Sequence, residues 1–156
     1  DSGTINSPLS IESETGMPDD RRIRAIIDQR YGKSAITRYQ TLDVLDSWSV
    51  MNVEIETGRT HQIRAHFSSI GHPPAYDPIY GRKKPIRTID ADPSLRFTPD
   101  KPSTLLDRVP LHAESIRFIP PDRQGRIESD AELLCVTAPL PDDLRRFINF
   151  LKNRRT

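Results

Sequence analysis

The sequence predicts an α+β fold with a mainly antiparallel mixed sheet and few flanking helices. Period-two alternation runs through residues 34–45 and returns at 48–56, with only Asp46-Ser47 between them. Helical spacing is confined to two places, one opening near Thr60 and the other at Pro141. Strands are therefore grouped and helices few, which is the pattern of an α+β domain. A chain of 156 residues has room for one domain with a hydrophobic core, or for part of a larger one.

Residues 1–20 are rich in Ser, Glu, Gly and Asp, include Pro8 and Pro18, and read as a short strand followed by loop. Residues 21–32 allow two readings: Asp20 caps a helical turn through Ile23, Ile26 and Ile27, or an arginine-rich exposed connection runs to Tyr31-Gly32. Next, Ala35, Thr37, Tyr39 and Thr41 alternate with Ile36, Arg38 and Gln40, and the turn at Asp46-Ser47 makes an antiparallel hairpin with 48–56. Apolar positions then shift to Ile63, His66/Phe67 and Ile70, a helix that Gly71 and Pro73-Pro74 end. Residues 72–110 hold eight of the 14 prolines and are expected to form a long irregular connection, of the kind that is usually functional or mobile. Strands are expected at 111–119 and 133–136, with a turn from Pro120 to Gly125 between them. The last helix opens at Pro141-Asp142-Asp143, and Leu144, Phe147, Ile148 and Leu151 form its apolar stripe. Acids at its start and Lys152, Arg154 and Arg155 at its end complement the helix dipole.

Composition narrows the function. Charged residues make up 29% and hydrophobic residues 35%, and no apolar run approaches membrane-spanning length, so no membrane partner is expected. No export signal opens the chain, and the single cysteine, Cys135, rules out an internal disulfide and fits a reducing, cytoplasmic setting. Net charge is only +1, so overall basicity does not mark a nucleic-acid binder. The cations are nevertheless grouped: Arg59, His61, Arg64 and His66 are followed by Arg82, Lys83, Lys84 and Arg87, with Asp77 the sole acid among them. Such a cluster can track phosphates, or simply form a solvated surface.

Several chemistries fail on spacing. His61 and His66 lie five apart, about 140° around a helix, and no His-Glu-x-x-His string exists, so no metal site is expected. No Gly-x-Ser-x-Gly elbow is present, and Cys135, between Leu134 and Val136, reads as a small core residue. The seven glycines are scattered and build no phosphate-cradling loop. What remains is Glu56 to His66, E-T-G-R-T-H-Q-I-R-A-H, at a strand-to-helix junction where rigid elements aim side chains from a short loop. Arg64 follows Ile63, a core-facing position, and a partly buried guanidinium needs an anionic partner. That partner is either a carboxylate of this chain, making an ordinary internal salt bridge, or part of a catalytic site.

Thr57 to His66, followed by Ile70-Gly71-His72-Pro73 and Asp77-Pro78-Ile79-Tyr80-Gly81, closely resembles the signature of RluA-type RNA pseudouridine synthases. Looser matches in the family's order are Gly3-Thr4-Ile5 with Pro8-Leu9, residues 32–39, Leu111-His112-Ala113 and Ala138-Pro139-Leu140-Pro141, so the resemblance covers nearly the whole chain. It implies isomerisation of uridine to pseudouridine in ribosomal or transfer RNA, with no cofactor and no metal. By position, Arg64 matches the arginine that pairs with the family's catalytic aspartate, and such a fixed cation keeps a carboxylate ionised. Ile63 matches an apolar wall of the base pocket, and Arg59 and His61 match positions near bound RNA. The sequence departs from the family in three respects. A His-Arg-Leu-Asp-x-x-Thr-Ser-Gly block is absent, as is the active-site tyrosine that follows it, and Tyr76 stands where the family usually has glycine, implying an altered turn. The expectation is that residues 1–156, which open on Asp1, are the carboxyl-terminal part of one synthase catalytic domain. Alone the chain would be inactive, with the amino-terminal half as its partner. A non-catalytic RNA-binding relative that has lost the catalytic segment is the alternative.

Overall fold

The computed structural model describes residues 1–13, 23–97, 103–121 and 132–154. Within them the fold is α+β as expected, with three helices and every strand pair antiparallel, the strands being divided among four small sheets. The largest has the order β1-β4-β5, from β1 (Ser2–Asn6), β4 (Ile36–Leu45) and β5 (Trp48–Ile55). The hairpin expected at 34–56 is present. Asp46 takes the turn with φ 55, a left-handed conformation that Asp tolerates better than most residues. A register shift between Thr41 and Asp43 bulges Leu42 out of the ladder.

Residues 23–32 are neither the helical turn nor the exposed connection. Ile23–Ile27 is β3, paired with β2 (Leu9–Ser13), a segment read from sequence as loop. The ladder buries Leu9 and Ala25, and the Gly32 and Lys33 amides close its end by bonding to the Asp28 and Leu9 carbonyls at 3.0 and 2.8 Å. A Cβ at Gly32 would lie 2.3 Å from the Asp28 carbonyl oxygen, so only glycine fits. The proposed cap at Asp20 lies outside the described residues.

Helix α1 (Gln62–Ser69) ends as expected. Gly71 adopts φ 82, its amide bonds to Ser68 and the His72 amide to Phe67, the paired bonds of a Schellman stop. Its buried face differs from the expected stripe: Gln62, Ala65, His66 and Phe67 are buried, Ile63 is only half-buried and Ile70 is exposed. α1 packs on β3 and β4, with Phe67 against the Tyr39 ring at 5.4 Å.

Among their described residues, 72–110 are less irregular than expected. They contain β6 (Ile86–Arg87), α2 (Thr88–Ala91), a 3-10 turn (Pro93–Phe97) and β7 (Thr104–Leu106), with β6 paired to β7. Ile86, Ala91 and Leu106 join Leu45 and the α3 (Asp142–Asn153) residues Leu144, Phe147 and Leu151 in the larger core. Elements of two to five residues are too short to show a period, which is why the sequence hid them. Tyr76 packs against this core with no left-handed backbone. Trp48 meets Phe147 edge-on at 5.7 Å.

The stripe of α3 is as expected, but its cations serve tertiary contacts: Lys152 pairs with Asp43 at 2.9 Å, and Arg154 reaches Asp46 and Asp92. Arg155 and the Gly125 turn fall outside the described residues. β8 (Ser115–Phe118) and β9 (Leu134–Thr137) form the last hairpin, shorter than expected and exposed on both faces. Cys135 is therefore exposed, not a core residue. Among the described residues no helix is long and apolar enough to cross a membrane.

Candidate active site

Two polar clusters grow from the β5–α1 junction, and they divide the signature residues between framework and site. The framework centres on Gln62. Its Oε1 accepts the Thr57 hydroxyl at 2.8 Å and the Arg59 amide at 3.0 Å. Its Nε2 donates to the Ile36 carbonyl at 2.9 Å and to Thr37 Oγ1 at 3.1 Å. A glutamine amide has two acceptor and two donor positions, so Gln62 is fully used. His66 Nε2 donates to the Ser7 carbonyl at 2.9 Å, which leaves Nδ1 to accept the Thr37 hydroxyl at 2.8 Å. This tautomer follows from the acceptors, since the Ser7 carbonyl can only accept.

His66, Thr37 and Gln62 are buried and joined to Ser7 just beyond β1, to β4 and to the β5–α1 turn, so this half of the motif sets the pitch of α1 against the sheet. Thr37→Val removes the hydroxyl between two buried groups. It is expected to cost about 1–3 kcal/mol, read as a lower urea midpoint at unchanged m.

The second cluster centres on Arg64. Its Nε donates to Asp77 Oδ2 at 2.7 Å and its Nη2 to Asp77 Oδ1 at 2.8 Å, a bidentate pair. Asp77 is fully buried and the Arg64 side chain only 13% exposed. Asp77 Oδ1 also accepts the amides of Ile79 and Tyr80 at 3.0 and 3.1 Å, so the carboxylate is seated in its own turn. Burial by itself pushes the Asp77 carboxyl up. The Arg64 hydrogen bond, the Tyr80 and Ile79 amides and the Arg64 charge outweigh it and hold the group below the ordinary carboxylate value. Hydrogen bonding to Asp77 likewise raises the Arg64 guanidinium, against its burial.

A depressed carboxyl stabilises the fold at pH above its unfolded value, and that contribution is lost as pH falls through the lower folded value. The wild-type chain is therefore expected to lose stability on acidification below the ordinary Asp range, and an Asp77→Asn variant to show a flatter dependence there. Thermal melts between neutral pH and strong acid check both.

Tyr80 backs the pair. The Arg64 guanidinium lies 5.1 Å from its ring centroid, and Arg24, from β3, 5.7 Å. Its hydroxyl accepts the Ala25 amide at 2.6 Å and donates to the Ala25 carbonyl at 3.1 Å. With that proton committed, His61 Nδ1, 3.2 Å from the same oxygen, is the donor in their contact. His61 itself is held at φ 52, a left-handed conformation at the start of α1, and its ring meets Tyr80 edge-on. Burial raises the Tyr80 phenol, with the Ala25 amide and the two arginines opposing.

Of the sequence candidates, the structure brings Arg64 and His61 together around Tyr80. It sends Arg59 elsewhere, exposed, with its Nε on the Ser34 carbonyl at 3.1 Å. Ile63 lies on α1 between these groups, half-buried and outside both cores. The carboxylate against Arg64 is Asp77, to which the sequence reading gave no role. Its signal was its isolation among cations. Tyr80 and Arg24 were also missed. The basic run divides: Asp90 takes Arg82 at 2.9 Å and Arg87 at 3.6 Å, while Lys83 and Lys84 are exposed. Among the described residues Arg64 Nη1 carries no hydrogen bond, so one edge of the guanidinium is held and the other is offered.

The junction is thus a strand-turn-helix unit built on a nearly buried, carboxylate-braced arginine, and comparison with known proteins names its family. The family model for RNA pseudouridylate synthase matches residues 1–69. The chain is 35% identical over 151 residues to the ribosomal large subunit pseudouridine synthase D of Nitrosomonas europaea, covering 97% of this chain and 39% of that protein. It is 36% identical over 131 residues to the protein of the same name from Zymomonas mobilis, covering 84% and 37%. Human RNA pseudouridylate synthase domain containing 4 shares the fold at TM-score 0.53 and 21% identity, over 97% of this chain and 56% of that one. The chain belongs to the RluA-type RNA pseudouridine synthase family. It spans about two fifths of the length of the curated relatives it matches.

Proposed function

We propose that residues 1–156 are the arginine-bearing, carboxyl-terminal part of an RNA pseudouridine synthase domain, which isomerises uridine in ribosomal or transfer RNA in the cytoplasm. The observation that carries the reading is Arg64, braced by Asp77 on one edge and free of hydrogen bonds on Nη1 among the described residues. A catalytic carboxylate supplied by a companion segment would meet a guanidinium already aimed and already desolvated. Burial among Tyr80, Asp77 and α1 strengthens that attraction, and the cation keeps the incoming carboxylate ionised for attack. Ile63 would wall the base pocket. Arg59, His61, Lys83 and Lys84 would line the approach of RNA, whose target base must leave its stack. No step calls for a metal or cofactor.

The test uses ribosomal RNA and nucleoside chromatography. The chain alone is expected to form no pseudouridine. Combined with the part of the Nitrosomonas europaea relative that this chain does not match, it is expected to form it. Formation by the chain alone would remove the need for a companion. Salt-dependent RNA binding without isomerisation by the mixture would favour a non-catalytic RNA-binding relative instead.

A further inference from the structure

The β8–β9 hairpin carries an apolar face that nothing among the described residues covers. Its register sets Ile116 opposite Val136 and Phe118 opposite Leu134, and because side chains alternate along a strand, all four share one side. They are 60%, 53%, 39% and 44% exposed in that order. The opposite side is polar apart from Cys135: Ser115, Arg117 and Thr137 line an open groove of ≈ 540 Å³. Among the described residues, no other strand or helix packs substantially on this hairpin. Period-two segregation of this kind belongs to a half-buried sheet, so one side is built to be covered.

The chemistry of the face narrows its occupant. It carries no charge, which disfavours RNA, whose binding rests on cations against phosphates. Two four-residue strands offer a footprint of roughly 140 Å² from strand rise and spacing. That is far below the ~800 Å² per partner of a stable dimer, which disfavours a second copy docking here alone. The solved relatives align with 97% of this chain using only 56% and 59% of their own, so in those proteins further chain is available to cover the equivalent hairpin.

We infer that this face of β8–β9 is a docking surface for an apolar layer of the companion segment that also brings the carboxylate to Arg64. The inference rests on the function proposed above and adds to it a second point of attachment, away from the chemistry. The occupant is recognised by its apolar side chains, and its further contacts at Arg64 supply the area that the hairpin alone lacks.

The test mixes this chain with the unmatched part of the Nitrosomonas europaea relative. It follows affinity by calorimetry, amide exchange at residues 115–118 and 134–137, and pseudouridine formation. Mixing is expected to protect those amides. A doubly charged variant, Ile116→Asp with Val136→Asp, is expected to bind at least tenfold more weakly, whereas Leu42→Asp, at an exposed apolar site on β4, should bind as wild type. Both positions of the double variant are exposed, so its fold should persist, and circular dichroism verifies that. Unchanged protection, no binding, or equal affinity of the double variant would overturn the docking surface. So would concentration-dependent self-association that the double variant abolishes, since the occupant would then be a second copy. Isomerisation by a mixture indifferent to the double variant would overturn the docking surface alone. Protection of the hairpin in an inactive mixture would instead overturn the catalytic reading and leave the docking surface standing.

Discussion

Arg64→Lys is expected to lower turnover of the assembled synthase ~10²–10³-fold, the range that follows loss of one preorganised charge-stabilising group, while RNA affinity changes only a few-fold. Lysine keeps the charge, so the size of the loss measures geometry. The guanidinium is planar and has two usable edges, and Asp77 occupies the Nε–Nη2 edge at 2.7 and 2.8 Å. An ammonium on a flexible stem can satisfy one carboxylate but cannot be braced by that one and aimed at another. Stacking over Tyr80, at 5.1 Å from the ring centroid, would be weakened too. Single-turnover pseudouridine formation and filter-binding of the same RNA read the two quantities separately. Parallel losses in both would make Arg64 a phosphate contact. Undiminished turnover in Arg64→Lys would sink the proposed pairing altogether.

How far the sequence foretold this site depends on which physical signal each residue leaves. The β4–β5 hairpin and α3 were legible because ten-, eight- and twelve-residue elements repeat their period often enough to be seen. β2 and β3 were not. Ile-Arg-Ala-Ile-Ile shows no clean alternation, and its strand state comes from pairing with Leu9–Ser13, ten to eighteen residues earlier. On α1 the apolar pattern pointed to Ile63 and Ile70, yet the buried face is built around Gln62 and His66. Hydropathy cannot anticipate polar side chains whose every donor and acceptor is satisfied internally. Asp77 escaped for a related reason. It lies thirteen residues beyond its partner, past a helix stop and two prolines, so no local spacing rule joins them. The sequence asked only that a partly buried Arg64 have an anionic partner, either a carboxylate of this chain or a catalytic one. The side-chain geometry added that one such carboxylate is already within the chain.

That internal carboxylate makes the second large effect. Asp77→Ala is expected to destabilise the chain by about 3–5 kcal/mol, because it leaves a nearly buried guanidinium without its counter-charge. The urea midpoint should fall accordingly at neutral pH. The turn at 77–81 should also loosen, since the Ile79 and Tyr80 amides lose their acceptor. An internal salt bridge kept only for stability makes a further, opposite prediction. Replacing both partners with apolar residues of similar size, Arg64→Met with Asp77→Leu, is expected to recover most of the lost stability and can exceed wild type, because a buried ion pair repays its desolvation only partly. The double variant should then be folded and inactive. A double-mutant cycle separates the cases: strong coupling between the two sites in stability, but no recovery of turnover, means that the pair is retained for what Arg64 does. If the apolar pair instead restored pseudouridine formation in the assembled enzyme, the Arg64–Asp77 bridge would be framework, and the incoming carboxylate would have to find another cation. Neither Lys83 nor Lys84, exposed in the segment beyond Asp77, offers one with comparable burial.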